Sequence, residues 1–80
     1  MQFVPLELAQ ELWKATPELN WSAFYDRVQE RLEKGPAIEG VNPTTLLQSV
    51  KYLSQIGTPF PLSAQDLYKV LNEQIQNRTL

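Results

Sequence analysis

The 80-residue sequence contains neither cysteine nor histidine. Their absence excludes disulfides, zinc sites and catalytic triads that depend on a thiolate or an imidazole. The sequence also lacks the Asp-rich spacing of a calcium loop and the Gly-Lys-Ser/Thr ending of a phosphate-binding loop. We therefore expect no metal and no cofactor, and a domain stabilised by packing rather than by covalent cross-links.

Long apolar runs are missing too. No stretch approaches the roughly 18 apolar residues that span a bilayer, and no basic segment followed by an apolar one opens the chain. The sequence thus predicts no membrane association and, by default, a cytoplasmic location. Hydrophobic residues make up 42% and charged residues 20%, which is typical of globular proteins. The length predicts a single domain over residues 1–80, with the last few residues frayed.

Charge is scarce and unevenly distributed along the chain. Residues 1–40 carry seven acidic and four basic residues, a net charge of −3, whereas residues 41–80 carry two acidic and three basic residues, a net charge of +1. In the segment from Gly40 to Gln65, here called the charge-poor segment, Lys51 is the only charged residue. The cores of protein interfaces are depleted in charge and enriched in aromatic residues. This segment is therefore the strongest functional signal in the sequence.

Apolar residues recur at spacings of three and four, which predicts helices rather than strands. We predict a compact all-α fold of four helices with short loops. The predicted helices cover about residues 5–15, 21–34, 43–56 and 64–76. The apolar residues of the first and third helices spread over wide arcs. A wide arc indicates either a helix buried by two neighbours or a helix partly covered by a partner.

Residues that begin and end helices stand at the predicted boundaries. Asn20, Asn42 and Ser63 occupy N-cap positions, because their side-chain oxygens can accept hydrogen bonds from the first free backbone N–H groups. Pro5 suits the first turn of the first helix. Gly35 is expected to end the second helix in a left-handed conformation.

The carboxylates indicate a solvated surface rather than an active site. Asp26, Glu30 and Glu33 form a row opposite the apolar face of the second helix. Paired carboxylates can catalyse proton transfer or glycoside hydrolysis only in a cleft that shifts their pKa values. A helical domain of this size rarely provides such a cleft. We therefore predict that the protein is not an enzyme.

A basic flank on the second helix supports an alternative function. Arg27, Arg31 and Lys34 lie on one side of this helix and could hold phosphates of DNA or RNA. The acidic net charge of −2 opposes that function. The connection between the third and fourth helices is also longer than the turn of a helix-turn-helix motif. The competing interpretation is that the basic flank pairs with acidic residues of a neighbouring helix, such as Glu7 and Glu11.

The charge-poor segment favours a non-enzymatic protein–protein interaction module, acting as a regulatory adaptor or assembly factor. Phe60 lies between two prolines, and a large ring on the stiff Pro59–Pro61 loop loses little entropy when a partner covers it. The competing interpretation is that Phe60 closes the end of the bundle and that the third helix is its central member. The partner is another protein or a second copy of this chain. The residues predicted to contact it are Tyr52, Ile56, Phe60 and Trp13.

Overall fold

Four α-helices joined by loops make up the computed structural model, which describes residues 2–78. The predicted all-α fold is confirmed, and this part of the chain contains no strand. Every helix boundary lies within two residues of its predicted position. Fraying was predicted after Gln76, but Asn77 and Arg78 are helical, and the remainder of that predicted segment, residues 79–80, lies outside the described residues. The helices are α1 (Leu6–Lys14), α2 (Trp21–Lys34), α3 (Pro43–Gln55) and α4 (Ala64–Arg78).

The helices contact one another in a closed ring. Helix α1 packs on α4, α4 on α3, α3 on α2, and α2 more sparsely on α1. Across the ring, the backbones of α1 and α3 and those of α2 and α4 do not come into contact anywhere in residues 2–78. Helix α3 thus has two helical neighbours, as each of the others has, and it is not the central member of the bundle.

The hydrophobic core lies inside this ring and receives side chains from all four helices. Loop residues Val4 and Val41 complete it. Complete burial of one such aliphatic side chain contributes about 1.5–3 kcal/mol, so the inner faces of the helices provide most of the stability. The fully or almost fully buried helical side chains include Leu8, Leu12, Phe24, Val28, Leu46, Val50, Leu67, Leu71 and Ile75.

Side-chain caps form at the three predicted positions. Oδ1 of Asn20 accepts a hydrogen bond from the backbone N–H of Ala23 at 2.8 Å, and Oδ1 of Asn42 accepts from Thr44 at the same distance. Oγ of Ser63 accepts from the backbone of the third helical residue of α4 at 3.1 Å. Helix α1 begins one residue later than predicted, so Pro5 is its N-cap residue rather than its first helical residue. Pro5 provides no side-chain cap.

Replacing Ser63 by alanine is expected to lower the free energy of unfolding by about 1 kcal/mol, because one N–H group of α4 loses its side-chain acceptor. Ser54→Ala is the matched control, since Ser54 is exposed in the last turn of α3 and caps no helix. Urea denaturation followed by circular dichroism measures both variants. Equal midpoints would show that the cap does not stabilise the protein.

Gly35 does not adopt the predicted left-handed conformation. Its φ of −96° and ψ of 173° are extended, a conformation available to every residue. The glycine is instead required by a close approach, since a Cβ atom at this position would lie 2.8 Å from the carbonyl oxygen of Arg31 and would clash with the Arg31 guanidinium. The Arg31 side chain crosses this position to donate a hydrogen bond from Nη1 to the carbonyl of Pro36 at 2.8 Å.

The N-terminal residues before α1 are attached to α4 by a buried asparagine that the sequence analysis did not identify. Oδ1 of Asn72 accepts from the backbone N–H of Val4 at 2.7 Å, and Nδ2 of Asn72 donates to the carbonyl of Val4 at 3.1 Å. The same Nδ2 group donates to the carbonyl of Tyr68 at 2.9 Å. One side chain thereby joins two segments that are 68 residues apart in sequence.

Candidate functional site

Much of the charge-poor segment faces solvent. Gln48, Lys51, Tyr52 and Gln55 are exposed on α3, and Ile56 is exposed at its C-cap. Spacings of three and four residues place these five side chains on one side of the helix, and we call this surface the α3 outer face. Because these positions are exposed, the low charge of the segment is not a consequence of burial.

Large apolar side chains are exposed in the same segment. Tyr52 is 42% exposed and Ile56 is 54% exposed. Leu62, in the connector of residues 56–63 between α3 and α4, is 78% exposed, the highest value among the exposed large apolar residues of the described chain. Single exposed apolar residues are ordinary on protein surfaces, but these three follow one another within a segment that has a single charge.

Arg78 adds a cation that the sequence analysis did not associate with this surface. Its guanidinium carbon lies 5.8 Å from the centroid of the Tyr52 ring, within the range of a cation–π interaction. Nη2 of Arg78 donates to the carbonyl of Gln48 at 3.3 Å. A shallow groove results, lined by Gln48, Lys51, Tyr52, Gln55 and Arg78. No carboxylate is among these lining residues.

Phe60 is half buried and packs against the core. Its ring centroid lies 5.0 Å from that of Trp21 and 5.9 Å from that of Phe24, both in edge-to-face arrangements. Nε1 of Trp21 also donates to the carbonyl of Thr58 at 2.6 Å. These contacts agree with the competing interpretation, in which Phe60 closes one end of the bundle.

Trp13 also contacts the connector from the side of α1. It is half buried, and its Nε1 donates to the carbonyl of Pro61 at 3.2 Å. The four residues predicted to contact a partner therefore have two different environments. Tyr52 and Ile56 lie on the α3 outer face, whereas Trp13 and Phe60 pack between the helices and the connector.

The basic flank of α2 is engaged in contacts within the chain. Nε of Arg31 lies 3.0 Å from a carboxylate oxygen of Glu11 on α1, and Nη2 of Arg27 lies 3.5 Å from one of Glu18. The predicted pairing with Glu11 is present, whereas the one suggested for Glu7 is absent from the described residues. Each guanidinium also donates to a backbone carbonyl.

These ion pairs weaken the case for phosphate binding at this flank. Of its three basic residues, Lys34 alone makes no ion pair within residues 2–78, and its neighbours on α2 include the exposed Glu30 and Glu33. A nucleic acid would have to displace existing partners of both arginines. The structure thus provides no continuous positive surface at Arg27, Arg31 and Lys34.

Comparisons with protein families, with curated proteins and with solved structures each return no match to this chain. Among residues 2–78, no cluster of three or more acidic side chains is arranged to hold a metal ion. None of the helices in this part of the chain combines the length and the hydropathy needed to cross a membrane.

Proposed function

We propose that the protein is a non-enzymatic protein–protein interaction module, a regulatory adaptor or assembly factor, that binds its partner through the α3 outer face and the connector of residues 56–63. The observation that carries this proposal is the exposure of Tyr52, Ile56 and Leu62 in a segment with a single charged residue. Exposed aromatic and aliphatic side chains in a charge-depleted surface are characteristic of interface cores.

The size of the protein indicates how much of its surface an interface needs. A standard interface buries about 800 Å² on each partner, which is about a sixth of the 4931 Å² of accessible surface. Helix α3 has 13 residues and is therefore about 20 Å long. One exposed face of so short a helix is too small for such an interface, so the connector with Leu62 has to contribute to it.

The two environments of the predicted partner residues suggest two roles. Tyr52 and Ile56 have the exposure needed for direct contact with a partner. Trp13 and Phe60 position the connector, because one donates a hydrogen bond to it and the other anchors it in the core. A connector fixed in place before binding loses less entropy on association, so both pairs support the same function.

Replacing Tyr52 and Ile56 together by alanine is expected to leave the protein folded and to weaken its association at least tenfold, since truncation of an important interface residue costs about 1–2 kcal/mol or more. Sedimentation equilibrium measures self-association, and affinity capture from the native host measures binding to a different protein. Circular dichroism checks that the double variant is folded.

Two further variants serve as controls for this test. Leu6→Ala removes an aliphatic side chain that is 37% exposed on α1, outside the proposed surface, and should leave association unchanged. Arg27→Ala combined with Arg31→Ala removes the basic flank of α2 and should also have little effect. If this last variant abolishes binding while the Tyr52 and Ile56 variant does not, the proposal is wrong and nucleic-acid binding is favoured.

A further inference from the structure

We infer that the α3 outer face binds an acidic amphipathic segment of a partner protein, with carboxylates beside Lys51 and Arg78 and an aliphatic side chain beside Ile56. This inference rests on the proposed function and specifies the chemistry of the partner at the same surface.

The first observation is that the cations of this face form no ion pair with the described residues. In residues 2–78 the ion pairs are Arg27–Glu18 and Arg31–Glu11. Asp26 of α2 lines a second groove together with Lys51 but forms no ion pair with it. Lys51 and Arg78 both line the groove beside Tyr52, and its remaining walls are the uncharged side chains of α3. Carboxylates of a partner would provide the missing complementarity, which steers association and fixes the orientation of binding.

The second observation is that positive charge and apolar surface occupy different parts of the α3 outer face. Arg78 donates to the carbonyl of Gln48 and lies over the ring of Tyr52, so the positive charge is next to the middle of α3. Ile56, at the C-cap, is the apolar end. The C-terminal end of a helix carries partial negative charge, and the last turn of α3 contains no basic residue. Acidic groups of the partner therefore belong near Lys51, and its aliphatic group belongs near Ile56.

Single-stranded nucleic acid fits the same face less well. Two cations neutralise few phosphates, and the chain as a whole has a net charge of −2. One face of the Tyr52 ring is already occupied by Arg78, which leaves less of the ring available for stacking with bases. The exposed aliphatic side chain of Ile56 has no role in binding phosphate, but it suits an amphipathic peptide.

The test uses two synthetic helical peptides with the same leucine-rich face. One carries glutamates on both sides of that face, and its matched copy carries lysines instead. Titration of the ¹⁵N-labelled full chain should show at least tenfold tighter binding of the glutamate peptide at low salt, with chemical-shift changes concentrated at residues 48–56 and Arg78. The difference between the peptides should narrow as salt increases, because exposed charges are screened.

Charge reversal then tests the individual cations. Lys51→Glu and, separately, Arg78→Glu should each weaken binding of the glutamate peptide at least tenfold and strengthen binding of the lysine peptide. Lys69→Glu is the matched control. It changes the net charge equally on α4, but Lys69 lies in a different groove with Phe3, Tyr68 and Glu73. This control variant should bind the glutamate peptide as the wild type does.

Several outcomes would overturn the inference. These are absence of binding by the glutamate peptide, equal binding of the two peptides, an equal loss in the Lys69 control, and displacement of the peptide by a single-stranded oligonucleotide at lower concentration. If association with the native partner, or with a second copy, requires Tyr52 and Ile56 but is unchanged in the Lys51 and Arg78 variants, the acidic partner is excluded and the proposed function stands. If association requires neither pair, both proposals fail.

Discussion

Replacing Asn72 by alanine is expected to destabilise the protein by about 3 kcal/mol. Val4 is fully buried, and its backbone N–H and carbonyl are both satisfied by the Asn72 amide. Alanine would leave both groups without partners, and each unsatisfied buried polar group costs about 1–3 kcal/mol. A domain of this length has a total stability of roughly 4–12 kcal/mol, so the loss is a substantial part of it.

Urea denaturation measures the change in stability, and hydrogen exchange at the amide of Val4 locates it. Asn77→Ala is the matched control, because Asn77 is an exposed asparagine on the same helix. The control should change the unfolding midpoint very little. If the Asn72 and Asn77 variants unfold at the same urea concentration, the hydrogen bonds between Asn72 and Val4 contribute nothing to stability.

The four helices could be predicted from the sequence because their boundary signals are local. Asn20, Asn42 and Ser63 each cap a helix through a hydrogen bond to a backbone N–H only two or three residues away. Spacings of apolar residues within one turn define the inner face in the same way. Signals of this kind require no knowledge of how the helices are arranged, so they remain valid once the helices pack together.

Contacts between distant segments could not be predicted in this way. Asn72 lies among apolar residues of α4, and its partner Val4 is 68 residues away. Arg78 reaches Tyr52 only because α3 and α4 are neighbours in the ring. In each case the deciding interaction is made by tertiary structure rather than by adjacent residues.

The location of the candidate site could be predicted from the sequence, but the exposure of its individual residues could not. The lack of charge between Gly40 and Gln65 is visible in the sequence and indicates where to look. The sequence does not show which apolar residues of that segment face solvent. Tyr52 and Phe60 are both aromatic residues of a charge-poor stretch, yet one lies on the surface and the other packs on the core. Only the arrangement of the helices separates them.

Phe60→Ala is expected to lower the free energy of unfolding by about 2–3 kcal/mol. Truncation of a fully buried phenylalanine costs about 3–5 kcal/mol, and the half-buried ring of Phe60 should lose a large part of that. Its edge-to-face contacts with Trp21 and Phe24 disappear, and such aromatic pairs contribute about 0.5–1.5 kcal/mol beyond the area they bury. The connector would also lose its anchor in the core.

Tyr52→Ala is the matched control for Phe60→Ala, because it removes an aromatic ring from the same segment at a position that is 42% exposed. It should cost less than about 1 kcal/mol, since the exposed ring loses mainly its cation–π contact with Arg78. Chemical denaturation monitored by tryptophan fluorescence separates the two variants, as Trp21 contacts Phe60 directly. A large loss for Phe60 alone would establish it as a core residue and leave Tyr52 available for a partner. Equal small losses would show that the Phe60 ring does not stabilise the core, and Phe60 would then return to the residues proposed for direct contact.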